Sequence, residues 1–408
     1  MILVDNYISK ILHKDKDDSY SILTYIDIDE EVSLNFINEY INEFIKNNPI
    51  LKKQFVEKDK LIFLDDIKLF KIEKYYTVKY TKQKNFDKKI HKILNIEFDK
   101  NVKWKFLCYI DKKNKKTRLF FKIHHAYVDG YTLINMLFNN KIITNDKISN
   151  KNDIVKKFKR KTDFWRTIYY YLVGTIILII SNVKIITNII FNLIGKTEKT
   201  KTKKEKTDYI ICKPLNLEEI KIFSKKKDIT VNDFLYSLMI KTDKLYTNKE
   251  KLISTCSSIN VSGTKNTNNM CPIFNQISNS LDNNKLLKTV NSTFNNFKFS
   301  LFIPILAFII NNIVSYIDIF FLSIFYDNYT NNSDYIYSNI IGPSCKNISV
   351  KITNIHFLTT HKNKEIIYNI ISNDNNINII CTFQKNVIKD KKKFEDCIYE
   401  TYKNLINN

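Results

Sequence analysis

Residues 121–130 (FKIHHAYVDG) contain the side chains best suited to chemistry in this chain. Two of the 6 histidines, His124 and His125, are adjacent there, and Asp129 and Gly130 follow after three residues. Adjacent residues at the end of a strand point to opposite faces, so one imidazole can reach a central channel while the other faces the supporting structure. Asp129 can fix the local geometry by bonding a backbone group or a basic side chain, and Gly130 permits an unusual turn.

The residues around this pair favour a single general base. No serine, cysteine or second carboxylate accompanies the histidines at a spacing that would form a covalent triad. A lone imidazole that removes a proton is therefore the simplest chemistry for the segment. The alternative is a buried, hydrogen-bonded histidine pair, with Asp129 as the cap of a following helix.

The glycines give a second indication. The chain has only 5 of them, and three stand at Gly130, Gly263 and Gly342. A chain this poor in glycine is expected to keep it where the backbone geometry requires it. Gly342-Pro343 is the only Gly-Pro dipeptide, and it predicts a fixed turn.

Strands and helices must position these residues. In the first half, the hydrophobic patterns predict a strand at 20–28, a helix between Asp29 and Pro49, and strands at 104–110 and 118–123 joined by the polar turn 111–117. In the second half, they predict helices at 217–223, from Thr230 onward and at 391–405, with short strands between 349 and 383. Thr230 and Asp233 resemble a capping box, and the strand at 118–123 leads directly into His124.

Length and composition predict two domains. A chain of 408 residues exceeds the size at which one hydrophobic core usually divides into two. Residues 168–180 carry no charge, whereas 196–208 (KTEKTKTKKEKTD) are charged and aperiodic, as in a linker. We therefore expect an N-terminal subdomain at 1–150, an apolar segment and basic linker at 151–208, and a C-terminal subdomain at 209–408.

The net charge of +23 would suit nucleic acid or an anionic membrane. Only three of the 65 basic residues are arginines (Arg118, Arg160 and Arg166), although the arginine fork is the usual reader of phosphate and guanine. We therefore expect no nucleic-acid partner, while attraction to acidic lipid headgroups stays open. The 7 cysteines form no CxxC or histidine-linked spacing, which indicates free thiols, a reducing compartment and no metal site.

Two apolar stretches, 168–194 and 301–326, could contact a membrane. A membrane span needs about 20 mostly apolar residues. The first stretch includes Lys184, and the second includes Asp318, a charge that costs about 3 kcal/mol at a bilayer centre. Interfacial or core helices are therefore favoured over spans, and the basic linker favours a role at a membrane surface. The N-terminus shows no signal-peptide pattern.

Several segments together resemble the wax ester synthase/diacylglycerol acyltransferase family, especially its plant-like members. Residues 124–130 are similar to its active-site motif HHxxxDG, 229–233 (ITVND) to its TVND/TIND helix start, and 338–343 (SNIIGP) to its SNVPGP/SNVVGP turn. Residues 93–111 resemble the family's approach to the histidine motif, and Val4-Asp5 its N-terminal PLD segment. HHxxxDG alone is shared with chloramphenicol acetyltransferases and peptide-synthetase condensation domains, so the combination is what carries the resemblance.

The resemblance implies an α/β fold of two chloramphenicol-acetyltransferase-like subdomains with a central channel between them. It implies an acyl-CoA-dependent O-acyltransferase that esterifies a long-chain alcohol or diacylglycerol, with acyl-CoA as co-substrate, no other cofactor and no metal. The expected location is a membrane surface on the cytosolic side, at the endoplasmic reticulum in a eukaryote.

The resemblance also assigns roles to individual residues. His125 takes the proton from the hydroxyl, while His124 and Asp129 are structural. Asn232 is an oxyanion donor or lines the channel, with capping of its own helix as the alternative. The remaining channel residues are expected to be Gly130, Asn339 and Gly342.

Three alternatives remain. One is an inactive relative that holds a lipid in the channel or docks on membranes. Another is a basic nucleic-acid-binding protein. The third is an enzyme that transfers a short acyl group to a small alcohol or amine.

Overall fold

The computed structural model describes most of both predicted halves. The described residues are 2–4, 7–13, 20–58, 61–68, 70–99, 101–139, 164–176, 179, 206–260, 270–299, 301, 333–345, 348–361, 366–385 and 387–407. Most of the apolar stretches 168–194 and 301–326 and of the linker 196–208 lies outside them, as do Asp5 and Gly263. No helix within the described ranges combines the length and the apolar character that crossing a membrane requires.

The first half of the chain alternates short helices and strands. Its strands are β1 (Ile2–Leu3), β2 (Ser21–Ile28), β3 (Lys53–Lys58), β4 (Leu61–Asp66), β5 (Tyr76–Tyr80), β6 (Trp104–Asp111) and β7 (Lys116–His124). Its α-helices are α1 (Tyr7–His13), α2 (Leu34–Asn47), α3 (Phe86–Leu94) and α4 (Gly130–Phe138), and 3-10 helices span Pro49–Lys52, Ile72–Lys74 and Gln83–Asn85. A further helix, α5 (Phe164–Tyr169), continues as a π-helical stretch at Tyr170–Gly174.

The second half follows the same alternation. Its strands are β8 (Thr207–Ile211), β9 (Leu215–Asn216), β10 (Leu252–Asn260), β11 (Met270–Ser278), β12 (Tyr335–Ile341), β13 (Ile352–Thr359), β14 (Ile366–Asn373) and β15 (Asn376–Gln384). Its helices are α6 (Leu217–Lys226), α7 (Val231–Thr247), α8 (Asn283–Phe299) and α9 (Lys391–Ile406). The predicted strands at 20–28, 104–110 and 118–123 and the predicted helices from Thr230 and at 391–405 are confirmed.

Two main sheets organise these elements, and one strand crosses between the halves. The first sheet has the order β13-β2-β7-β6-β5, so a strand from the second half forms its edge beside β2. The second has the path β11-β10-β12-β14-β15-β8, with β9 pairing β15. A third, three-stranded sheet has the order β1-β4-β3.

The crossing strand joins the two halves of the chain through the first sheet. Residues 352–359, which lie in the predicted C-terminal subdomain, pair antiparallel with β2 from Ile352↔Ile28 to Thr359↔Ile22. This pairing covers a strand edge that would otherwise expose unpaired backbone groups. The division into subdomains at 1–150 and 209–408, with the segment 151–208 between them, stays a prediction.

Each of the two main sheets packs apolar residues against helices. On α2, Ile37, Ile41 and Phe44 are buried at helical spacing and share a core cluster with residues of β6 and β7. In the second half, Phe234 of α7 and Phe394 of α9 belong to one core cluster with the strands of the larger sheet. These two cores hold the ends of β7 and β12, where the motifs lie, in fixed positions.

Candidate active site

Strand pairing holds the histidine pair at the end of β7. His124 pairs with Ser21 of β2, and its main-chain N–H donates to the carbonyl of Lys103 at 2.8 Å. The main-chain N–H of His125 donates to the carbonyl of Tyr20 at 2.9 Å. The backbone of both histidines is therefore fixed by neighbouring strands of the first sheet.

His124 faces the interior. Its side chain is 3% exposed, and its Nδ1 accepts a hydrogen bond from the N–H of Ala126 at 3.2 Å. The ring of Phe98 meets the imidazole edge-on. Burial, together with the charge of Lys103, lowers the pKa of His124 well below its ordinary value. The side chain is thus a neutral imidazole within the supporting structure.

His125 occupies a different environment. Its side chain is half-buried, and burial lowers its pKa. A hydrogen bond to its own main chain and, to a smaller extent, the carboxylate of Asp129 act in the opposite direction. At neutral pH this imidazole is therefore uncharged, which is the form that can accept a proton.

Asp129 is buried and begins α4. Its carboxylate accepts a hydrogen bond from the N–H of Thr132 at 2.6 Å, so it is the N-cap of this helix. The same carboxylate is close enough to His125 to affect its pKa. Asp129 therefore fixes the turn after the histidines and supplies negative charge beside His125.

Gly130 brings the histidine motif against the SNIIGP segment. A Cβ added to Gly130 would lie 2.5 Å from Cδ1 of Ile340 on β12, so only glycine allows this approach without a shift of the isoleucine. Gly342, just beyond β12, has its N–H bonded to the carbonyl of Ser372 at 2.8 Å. A Cβ there would collide with that carbonyl oxygen, which is main chain and cannot swing away.

Asn232 connects the second and third motifs. Its side-chain Oδ1 accepts from Nδ2 of Asn339 at 2.9 Å and from the hydroxyl of Tyr337 at 3.1 Å. Helix capping, the alternative considered for Asn232, belongs instead to its neighbours: Thr230 and Asp233 form the capping box of α7. The amide of Asn232 is therefore directed towards β12.

Strand β12 lies between the histidine turn and the start of α7. His124, His125 and Asp129 belong to one turn, and Gly130 contacts Ile340 of β12. Asn232 contacts Asn339 of the same strand, whose side chain points to the opposite face because it neighbours Ile340. Gly263 lies outside the described residues. No cluster of histidine, cysteine or carboxylate side chains suited to a metal ion occurs in the described part of the chain.

A cavity of about 90 Å³ lies elsewhere, at the opposite end of β7. Its lining includes Asp27 and Arg118, and its volume is too small for an acyl chain. The guanidinium of Arg118 is already bonded to the carboxylates of Asp27 and Asp87. This cavity is not part of the histidine site.

The comparisons with known proteins bear on the family and on the fold. Residues 268–406 match the family model described as WS/DGAT C-terminal domain. Over these residues the chain is similar to the wax ester synthase/diacylglycerol acyltransferase family. The resemblance seen in the motifs is thereby confirmed. No curated protein matches the chain in sequence.

Solved structures show the same fold over almost the whole chain. The wax ester synthase/diacylglycerol acyltransferase from Marinobacter aquaeolei VT8 has a TM-score of 0.62 at 10% identity, with 99% of this chain and 98% of that chain covered. The TRI3 trichothecene 15-O-acetyltransferase from Fusarium sporotrichioides has a TM-score of 0.65 at 8% identity, with 98% and 94% covered. The first condensation domain of the CDA synthetase has a TM-score of 0.60 at 5% identity, with 98% and 95% covered.

These matches confirm the predicted α/β fold class, and the family domain indicates an acyltransferase.

Sequence reasoning missed Tyr337 as a partner of Asn232. Strand alternation offered a signal, because Tyr337 and Asn339 are two residues apart on β12 and therefore share a face. No sequence pattern near Gly130 or Ile340 predicts the contact between them.

Proposed function

We propose that this chain is an acyl-CoA-dependent O-acyltransferase with His125 as its general base. The imidazole takes the proton of an acceptor hydroxyl while the oxygen attacks the thioester carbonyl carbon. The C–O bond forms, the C–S bond breaks, and the coenzyme A thiolate leaves and recovers the proton. The products are an ester and free coenzyme A, and the acceptor is a long-chain alcohol or diacylglycerol.

The observation that carries the proposal is the contrast within the histidine pair. His124 is fully buried with its Nδ1 engaged, whereas His125 is half-buried and neutral beside the carboxylate of Asp129. A neutral imidazole has the protonation state that a general base needs. Asn232 supplies a carboxamide on the second half of the molecule, where an N–H donor could stabilise the developing oxyanion.

Coenzyme A release by the purified chain tests the proposal. The protein receives palmitoyl-CoA with hexadecanol or with dioleoylglycerol, and free thiol is measured together with the ester product. His125→Ala should lower the rate by about 10²–10⁴-fold, the usual contribution of a general base. His91→Ala, at an exposed histidine of α3, is the matched control and should leave the rate unchanged. Equal turnover by His125→Ala and the wild type would overturn the assignment.

An acceptor panel distinguishes the remaining alternatives. Acetyl-CoA with a small alcohol or amine detects short-chain transfer, whereas palmitoyl-CoA with a lipid acceptor detects wax ester or triacylglycerol synthesis. An inactive relative would bind lipid but release no coenzyme A with any pair. Our proposal requires turnover with the long-chain pairs.

We also propose that the segment around α5 contacts an anionic membrane surface. Trp165 and Leu172 are 72% and 57% exposed, and Tyr169 is also exposed. The inner side of the segment is held by the protein: Gly174 lies against Asn296 of α8. Exposed aromatic and aliphatic side chains next to a Lys-rich sequence are typical of interfacial helices, and the chain carries a net charge of +23.

Vesicle sedimentation tests this contact. The wild type should pellet with phosphatidylcholine vesicles that contain phosphatidylserine, and less with phosphatidylcholine alone. Trp165→Ala combined with Leu172→Ala should weaken the binding, whereas Ile222→Ala, at an exposed apolar residue of α6, should not. Equal binding by the double variant and the wild type would contradict the proposed surface.

A further inference from the structure

Two donors converge on a single oxygen of Asn232. The hydroxyl of Tyr337 lies 3.1 Å from Oδ1 of Asn232, and Nδ2 of Asn339 lies 2.9 Å from the same atom. A carbonyl oxygen has two lone pairs, so these contacts occupy its accepting capacity. Both donors come from β12, and Asn232 lies in the first turn of α7.

This arrangement fixes which end of the carboxamide faces away from β12. If the amide rotated by half a turn, its N–H groups would meet the amide N–H of Asn339. With Oδ1 held by both donors, Nδ2 is left to donate elsewhere, and it makes no hydrogen bond among the residues that the structure describes. The Asn232 side chain is half-buried, so its N–H groups are not enclosed by the core.

The environment keeps Tyr337 in the donor role. Burial raises the pKa of its phenol well above the ordinary value, so the hydroxyl stays protonated throughout the physiological range. Its ring meets the ring of Tyr236 edge-on, with 5.0 Å between the centroids. The hydroxyl is therefore held at one place by packing on the same helix that carries Asn232.

We propose that Tyr337 and Asn339 are positioning residues that orient the carboxamide of Asn232 so that Nδ2 donates to the thioester oxygen as it becomes negatively charged. This inference rests on the proposed acyl transfer and deepens it. Asn232 touches the reacting group, whereas Tyr337 and Asn339 act through Asn232. A preoriented donor stabilises developing charge without a reorganisation cost at the moment of reaction.

Tyr337→Phe is the first test, because it removes the hydroxyl and keeps the ring. With one of two orienting bonds lost, kcat should fall by about three- to tenfold, with the KM for the acceptor unchanged. Tyr368→Phe is the matched control. Tyr368 is the residue opposite Tyr337 on β14, is equally buried, and has no hydrogen-bond partner for its hydroxyl in the described structure. This control should leave kcat unchanged.

A double-mutant cycle separates positioning from plain structural support. In an Asn232→Ala background, Tyr337→Phe should produce no further loss of kcat, because the carboxamide through which Tyr337 acts is already absent. A structural role would lower kcat by the same factor in both backgrounds. Such additivity, or an unchanged kcat in the single variant, would overturn the inference.

Asn339→Asp provides an independent variant. The carboxylate has nearly the same shape, but it cannot donate to Oδ1 of Asn232 and attracts its N–H groups instead. The amide should then turn its oxygen outward, and kcat should fall further than in Tyr337→Phe. A smaller loss would contradict the proposed orientation.

The tests distinguish failure of the inference from failure of the proposed function. If the wild type releases no coenzyme A with any acceptor, the proposed function itself fails. If the wild type releases coenzyme A and the double-mutant cycle is additive, only the positioning role fails.

Discussion

At the scale of single residues, the two adjacent histidines differ in burial and in hydrogen bonding, because their surroundings differ. His124 is enclosed, and its Nδ1 accepts from the backbone of the next turn. His125 is less enclosed. Burial lowers its pKa, and the negative charge of Asp129 partly offsets that effect. The alternation of strand residues predicted this division, but the protonation states depend on packing that only the folded chain provides.

The lowered pKa of His125 predicts the pH dependence of catalysis. A general base works in its neutral form, so the rate should stay level above the pKa and fall only as the pH drops through it. Because the folded pKa lies below the ordinary value of 6.5, the acid limb of kcat/KM should lie below pH 6.5. An acid limb above that value would contradict the proposed environment of His125.

Asp129→Asn should move the acid limb of the kcat/KM profile to lower pH. The substitution removes the negative charge that favours imidazolium, while asparagine still caps a helix. The pH profile of kcat/KM measures the shift, and the thermal midpoint shows whether the cap is retained. A limb that moves to higher pH would show that Asp129 does not act on His125 through its charge.

At the scale of elements, the start of α7 determines where Asn232 lies. Oγ1 of Thr230 accepts from the N–H of Asp233 at 3.1 Å, and the carboxylate of Asp233 accepts from the N–H of Thr230 at 2.8 Å. Nδ2 of Asn291 on α8 donates to the same carboxylate at 2.6 Å. The first turn of α7 is thus hydrogen-bonded both within its own capping box and to the neighbouring helix α8. These bonds keep Asn232 in a fixed position beside β12.

Thr230→Ala should reduce the stability of this turn. Loss of an N-cap side chain typically lowers the free energy of unfolding by about 0.5–2 kcal/mol. Urea denaturation followed by circular dichroism measures the change. Thr230→Ser keeps the hydroxyl and is the control, so it should stay close to the wild type. Equal losses in both variants would show that the methyl group, and not the cap, is responsible.

At the scale of the whole molecule, the two halves share structure. β13 completes the first sheet, and Oγ1 of Thr360 just beyond it accepts from the N–H of Ser21 at 2.9 Å. The approach of Gly130 to Ile340 is a second connection. Because each connection depends on the folded state of both halves, the halves should unfold together.

Trp104 provides a probe for this expectation. The chain has 2 tryptophans; Trp104 is 1% exposed in the first core, whereas Trp165 is 72% exposed. In a Trp165→Phe variant, fluorescence reports the first core, while circular dichroism reports both halves. The two urea transitions should coincide. A fluorescence transition well separated from the circular dichroism transition would show that the halves unfold independently.

The sequence by itself determined the local features of this protein. The histidine turn, the capped start at Thr230, the hairpin before His124 and the family motifs all depend on residues close together in the chain, where spacing and side-chain type are sufficient signals. Only the tertiary structure decided that β13 joins the first sheet, that Gly130 meets Ile340, and that Asn232 is held by Tyr337. Those contacts join residues between 105 and 337 positions apart. Their partners are selected by packing and strand pairing across the molecule, which no local pattern encodes.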